Sequence, residues 1–276
     1  MDQTAIYFES KSKTVVAPRG KKTISVRDSA SNAQQLTLIA AIAANGNKLP
    51  PFFIFKGQPD KKLETSMTEQ GIFCCAQSNA WWDEGVSKKW VNLILQPYIE
   101  ENNAQLVYLL VDHFRCHLQS TFVNACNKIG VEVDYIPAGY TCVLQPVDVG
   151  FNAPLKKHVK DQHHQWCIEA YRGLPHDARV PIPKREDIVL WVENAYDRIS
   201  AISIRNTFKH IGFTNVLENN DDDGSSDSDS SATVKDYTVT SEVTCDPELL
   251  GDSEDVIEYK DIHLTRLRRM LNITQI

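Results

Sequence analysis

The stretch Leu106–Gln119, LVYLLVDHFRCHLQ, runs six almost unbroken apolar residues, Leu106 to Val111, straight into Asp112. An apolar run of that length reads as a buried strand. A carboxylate driven into the end of a buried strand is costly unless something stabilises its charge. The partners open to it are a cation, a basic side chain, or other carboxylates gathered round a metal.

Between Asp112 and Asp148 lie 35 residues. They hold one helical pattern, QSTFVNACNKIG, closed by Gly130, and one strand pattern, VEVDYIPAG. Upstream, SKKWVNLILQPYIEEN places Trp90, Val91, Ile94, Leu95, Tyr98 and Ile99 on one helical face, with Ser87 as the expected N-cap. LTLIAAIAANGNKLPPFFIFKG reads as two strands around the turn Asn45-Gly46, a strong hairpin signal. TAIYFES and TVVAPRG read as a hairpin-like pair. A long helix follows Val149 and is broken near RGLPHD, and KREDIVLWVENAYDRI is a further helix. Strands first, then helix and strand in alternation, predict an α/β fold with a mixed sheet flanked by helices.

Asp2 leads into the first of these strands, and Asp148 sits in LQPVDVGFNAPLKKH just before a helix. A helix-and-strand crossover in a mixed sheet can bring Asp112 and Asp148 to the same edge. Three clustered carboxylates repel one another unless a divalent cation neutralises them. Hard oxygen ligands suit Mg²⁺ or Mn²⁺ rather than Zn²⁺. Two such ions about 3.5–4 Å apart can activate a water and stabilise a leaving alkoxide in phosphodiester cleavage. Taken singly, Asp112 has a helix N-cap as its plain reading, Asp148 a cap or a turn after Pro146, and Asp2 a terminal residue.

The chain of 276 residues is long enough for one substantial core, and 42% hydrophobic with 24% charged residues is an ordinary globular balance. It has no run of about 18 apolar residues, so no transmembrane helix is expected. MDQTAIYFESKSK lacks the basic and apolar regions of a signal peptide. Seven scattered cysteines without a C-x-x-C pair point to reduced thiols, not to a disulfide framework or structural zinc. The net charge of −7 conceals a division, because 15 acidic and 5 basic residues lie from Glu218 onward. The first 217 residues are therefore about +3, a weak pointer to a polyanionic partner. ENNDDDGSSDSDSSATVKD, Glu218 to Asp236, is too polar to bury a core and reads as disordered. The organisation expected is a folded domain over 1–215, an acidic linker over 216–255, and a short helix over 256–276.

At this point the sequence resembles the DDE superfamily endonucleases of pogo-, Tigger- and jerky-like transposases, within the mariner-like group. The matching stretches are MDQTAIYFE, VAPRGKKTISVR, LTLIAAIAANGNKLPPFFIFKG, LVDHFRCHLQ, LQPVDVGFNAPLKK and SIRNTFKHIGF, in family order over about residues 1–213. The resemblance implies an RNase H-like fold with Asp2, Asp112 and Asp148 as the three metal-binding aspartates, holding two Mg²⁺ or Mn²⁺. It implies metal-dependent cleavage and strand transfer of DNA in the nucleus, no membrane, and a homodimer as an assembly to test. His117 matches a histidine common in the second motif, where it supports the site or touches substrate, against a plain packing role. Gln145 and Lys156–Lys157 are candidates to orient the third acid and to contact phosphates, against a plain solvated reading. PRGKK, with Arg19, Lys21 and Lys22, is either a backbone contact, an import signal or a solvated loop. Trp81-Trp82 reads as core packing or as a stacking surface for a flipped base. The family places a helix-turn-helix DNA-binding region ahead of its first aspartate, and none precedes Asp2 here. The expectation is therefore a truncated copy, with a catalytically inactive DNA- or protein-binding module as the alternative.

Overall fold

Strand β1 (Asp2–Tyr7) alternates, burying Asp2, Thr4 and Ile6 while Tyr7 stays exposed. This computed structural model describes residues 1–8, 35–104, 107–175 and 182–213. β1 pairs antiparallel with β2 (Gln35–Ala40), with Asp2 opposite Ala40 and Tyr7 opposite Gln35. β2 in turn pairs antiparallel with β3 (Phe52–Lys56), with Leu36 opposite Phe55. The β2–β3 connection turns where the sequence expects it, at Asn45-Gly46. The Gly46 N–H donates to the Ala43 carbonyl at 2.9 Å and the Asn47 N–H to Asn45 Oδ1 at 2.9 Å. Gly46 has φ +96°, and a Cβ there would lie 2.8 Å from the Ala201 carbonyl oxygen. Both the backbone angle and the close approach demand glycine.

After helix α1 (Lys61–Glu69), strand β4 (Phe73–Gln77) adds parallel to β3. FCCAQ was not expected as a strand, because cysteine and alanine carry little β signal. Here Cys74 and Cys75 act as small apolar residues, one packed on each face of the sheet. β5 (Val107–Asp112) and β6 (Val131–Ile136) form a parallel pair joined through α4 (Ser120–Lys128), the crossover expected between Asp112 and Asp148. The two groups of strands meet where the Met1 ammonium donates to the Leu110 carbonyl at 2.8 Å, setting β1 beside β5.

Helices cover both faces. A continuous helical rod runs from α2 (Glu84–Trp90) through a wide π-type turn, Val91–Leu95, into α3 (Gln96–Glu101). Trp90, Val91, Ile94, Leu95 and Ile99 are buried on it, as its periodicity predicts, against Ile39, Phe52, Ile54 and Val111. Its N-cap is Asp83, whose carboxylate accepts from the Val86 N–H at 2.8 Å. Ser87, the expected cap, is buried inside the first turn and donates to the Glu84 carbonyl. Asp83 was the better cap because the helix starts one turn earlier than its apolar face.

The opposite face carries α5 (Thr141–Leu144), a second π-type turn (Val147–Phe151), α6 (Asn152–Tyr171), α7 (Arg185–Asp197) and α8 (Ala201–Ile211). Leu144, Phe151, Leu155, Ile188 and Val192 pack there against Ile6, Leu38 and Phe53. The result is a mixed four-stranded sheet, β1–β4, beside the parallel pair β5–β6, flanked by helices as the sequence pattern predicts. Among the described residues no helix is long and apolar enough to cross a membrane. The expected strand TVVAPRG, the basic residues Arg19, Lys21 and Lys22, the acidic linker and the C-terminal helix lie outside the described residues.

One cation ties the hairpin to this helical layer. Lys48 Nζ donates to the carbonyls of Tyr196 (2.6 Å), Ile199 (2.9 Å) and Asp197 (3.3 Å), closing the C-terminal end of α7. The Tyr196 hydroxyl returns the contact by donating to the Leu49 carbonyl at 2.9 Å. A cation on the last carbonyls of a helix satisfies orphan acceptors and opposes the negative end of the helix dipole. Lys48→Met should therefore destabilise the fold by about 2 kcal/mol, the scale of charge-assisted hydrogen bonds lost. Urea unfolding followed by circular dichroism measures this, and an unchanged midpoint would show that the clamp is ornamental.

Candidate active site

Strand parity places two of the acids on one face. Asp2 shares the side of β1 taken by Ile6, and Asp112 shares the side of β5 taken by Leu110, and Ile6 and Leu110 both belong to the cluster beneath α6. Asp148 arrives from above, in the π-type turn that leads into α6. Gly150 lets that turn sit close under α8, since a Cβ on it would run into the Thr207 side chain, 2.7 Å from Cγ2. π-type turns recur at functional sites because the extra residue re-aims side chains.

Asn152 joins two of the carboxylates. Its Nδ2 donates to Asp2 Oδ2 at 2.9 Å and to Asp148 Oδ1 at 2.8 Å. Asp2 and Asn152 are both buried. Burial and then the charge of Asp148 push the Asp2 carboxyl up to about 7, against the Asn152 hydrogen bond and the nearby ammonium. Sequence reading missed Asn152, although the signal was there. It stands four residues after Asp148, one turn along the same helical face.

Asp112 is held differently. His117 is buried, and its Nδ1 lies 2.6 Å from Asp112 Oδ1 and 3.2 Å from the Asp112 carbonyl oxygen. Asp112 Oδ1 nonetheless has no well-aligned hydrogen-bond donor. Burial lowers the imidazole, but the contacts with Asp112 and with Cys116 together outweigh it and push His117 up to about 9. The other ring nitrogen, Nε2, is 2.7 Å from the Gln3 amide nitrogen, and the ring edge packs on Trp82. His117 thus supports Asp112, and Gln3, absent from the sequence reading, fixes the ring. Gln145 is also buried, and its Nε2 donates to the Met1 carbonyl at 3.0 Å, so it braces the strand carrying Asp2 and not Asp148 itself.

Asp2 and Asp148 are therefore together, and Asp112 stands at the end of the neighbouring strand, turned toward His117. All three charges raise the Met1 ammonium, which burial carries down to about 6. Among the described residues no three His, Cys, Asp or Glu side chains are gathered tightly enough to hold a metal as they stand. The reason is local, because Asn152 lies between two of the carboxylates and His117 draws the third. Lys156 and Lys157 lie exposed on α6, and Lys156 continues the row Asp148–Asn152 by one more turn.

Two buried amide oxygens lack donors on the residues that brace Asp2 and its strand. They are Gln145 Oε1 and Asn152 Oδ1. Unsatisfied buried oxygens are rare and ask for an explanation. Like the carboxylates, they are hard oxygen donors, the chemistry that divalent cations take.

A mixed sheet with helices on both faces and acids at the ends of neighbouring strands has the RNase H-like architecture. The family model described as the DDE superfamily endonuclease matches residues 32–208, and the chain belongs to that family. The match takes in Asp112 and Asp148 and begins after Asp2. Over 223 residues the chain is 27% identical to a human protein described as pogo transposable element with KRAB domain, and 26% identical to its mouse counterpart. These alignments cover 80% of this chain but 36% of each relative. Among solved structures the chain resembles a Mos1 transposase paired-end complex with left transposon end, at TM-score 0.50 and 11% identity, over 76% of this chain and 50% of that one. That likeness concerns the fold.

If the Asn152 amide is what lets Asp2 and Asp148 stay close, Asn152→Leu should destabilise the metal-free protein by about 3 kcal/mol, because two buried acceptors lose their donor. Adding Asp2→Asn to that variant should recover part of the loss by removing one charge. Equal unfolding midpoints for the wild type and Asn152→Leu would remove Asn152 from the site.

Proposed function

We propose that this chain is the catalytic part of a DNA transposase, a metal-dependent endonuclease that cleaves phosphodiesters and transfers strands. The observation that carries the reading is the buried pair Asp2–Asp148 brought together at Asn152, with the Gln145 and Asn152 amide oxygens left without donors. Two divalent ions, Mg²⁺ or Mn²⁺, would be held by Asp2, Asp112 and Asp148, whose carboxylate oxygens suit hard cations. Ions bound there would supply charge neutralisation and a nucleophile at neutral pH. The chain's own groups do the rest. Asn152 keeps Asp2 and Asp148 in place, and His117, itself held by Gln3, orients Asp112. Lys156, Lys157 and Lys160 are exposed on α6, leading away from Asp148, where they suit the phosphates of a strand laid across the site. A protein with this role works in the nucleus on DNA, and a second copy of the chain is the expected partner for acting on two DNA ends. The residues over 1–215 are proposed as the folded unit.

The alternative is a DNA- or protein-binding module that has kept the fold and lost the chemistry. The His117 imidazole against Asp112 favours it, because a side chain there stabilises that acid without a metal ion. Calorimetric titration separates the two readings. With Mn²⁺ the wild type should bind, and Asp112→Asn should weaken binding at least about tenfold, as loss of a charged ligand does. Equal affinity in the two proteins would leave the binding-module reading in possession. DNA contact is tested independently. Lys156→Glu with Lys157→Glu should weaken duplex binding and lower its salt slope by about 2, at about 0.9 per phosphate contact. A salt series by fluorescence anisotropy reads this, and an unchanged slope would take both lysines off the DNA.

A further inference from the structure

Trp81 and Trp82 are consecutive and face opposite ways. Trp82 is buried against Trp90, Phe122 and His117. Trp81 is 56% exposed and stacks on Phe114, itself 47% exposed, with ring centroids 6.3 Å apart and planes 23° from parallel. Phe114 follows Asp112 by two residues, and its N–H donates to the Asp112 carbonyl at 2.8 Å. One tryptophan therefore reaches Asp112 through His117 from inside, and the other through Phe114 from solvent.

Large aromatic rings left in water forgo the stabilisation that burial gives, and adjacent ones on a surface mark binding. The turn that presents Trp81 is held against strain. Ala80 has φ +55°, unusual for a residue with a side chain. Thr37 Oγ1 donates to the Ala80 carbonyl at 2.7 Å, and the Trp81 N–H donates to Gln77 Oε1 at 3.2 Å. A non-glycine residue persists in that region where its surroundings over-determine it, a pattern that clusters at functional sites. Arg115, next to Phe114, is exposed and has no carboxylate partner among the described residues.

We propose that Trp81 and Phe114 form a stacking platform for an unpaired nucleobase of the DNA strand whose backbone passes Asp112. The inference rests on the DNA-cleaving reading above and names a feature of its substrate, namely local single-strandedness at the site. Flat π surfaces accept any base face, while the adjoining arginine cation meets the phosphate that accompanies it. A purely apolar protein partner would not call for an exposed cation at the rim.

The test uses the full chain and a fluorescein-labelled duplex, either blunt or with a short single-stranded overhang, by anisotropy at low salt in EDTA. Metal loading then plays no part. The wild type should prefer the overhang, and an overhang made abasic should lose that preference. Trp81→Ala should lose about tenfold on the overhang and little on the blunt duplex, the scale of one base stack. Trp81→Phe should retain most of the binding. Wild-type protein that binds abasic and normal overhangs alike sinks the platform while leaving the DNA reading intact. Equal loss by Trp81→Ala on both duplexes does the same, as does a variant that changes only the oligomeric state in sedimentation. No binding of either duplex by the wild type would overturn the platform together with the DNA reading.

Discussion

The carboxylates at the end of the sheet are held near one another by a neutral amide. Burial first, and then the charge of Asp148, push Asp2 up to about 7. Asn152 offers two N–H donors and brings no charge, so it lowers the repulsion without cancelling it. The surroundings are arranged to permit this. Gly150 lets the Asp148 turn sit under α8, and Gln145 pins the Met1 carbonyl beside the strand that carries Asp2. The remaining charge imbalance is what a divalent cation would relieve.

Support reaches Asp112 from the other face of the sheet. Met1 and Gln3 point away from Asp2, toward the layer built on Trp90, Phe122 and Trp82. Gln3 contacts His117, which contacts Asp112 from behind. One strand thus presents an acid on one face and steadies its neighbour's acid from the other. Period-two alternation makes that division of labour possible within two consecutive residues. The Lys48 clamp serves the same end at a distance, because it fixes α7 and the hairpin as one body over which α6 lies.

Much of this was legible in the sequence because its signals are local. The apolar run before Asp112 made a strand, Asn45-Gly46 made a turn, and the face from Trp90 to Ile99 was buried as its spacing required. The pairing of Asp2 with Asp148 was legible only as a resemblance, and the structure brings these two together through a residue the resemblance did not name. What escaped reading depends on long-range geometry. β4 was missed because Phe73–Gln77 has weak strand chemistry and is made a strand by the parallel edge of β3. Ser87 lost the cap to Asp83 because periodicity marks where a helix is buried, not where its first free N–H groups fall. Gln3 and Lys48 carry no motif of their own, and their partners lie 114 and 148 residues away.

The tandem tryptophans show how far local chemistry can mislead when taken alone. Identical neighbours invite one shared reading, either core or surface. The positive φ at Ala80 breaks the symmetry by turning the chain between β4 and α2, so that Trp82 enters the core and Trp81 leaves it. Trp82 then belongs to the machinery that steadies His117, and any change there acts on Asp112 through packing. Trp81 touches Asp112 only by way of an exposed ring on the following loop. A substitution at Trp81 can therefore alter what lies against the site without altering the site, whereas the same substitution one residue later cannot.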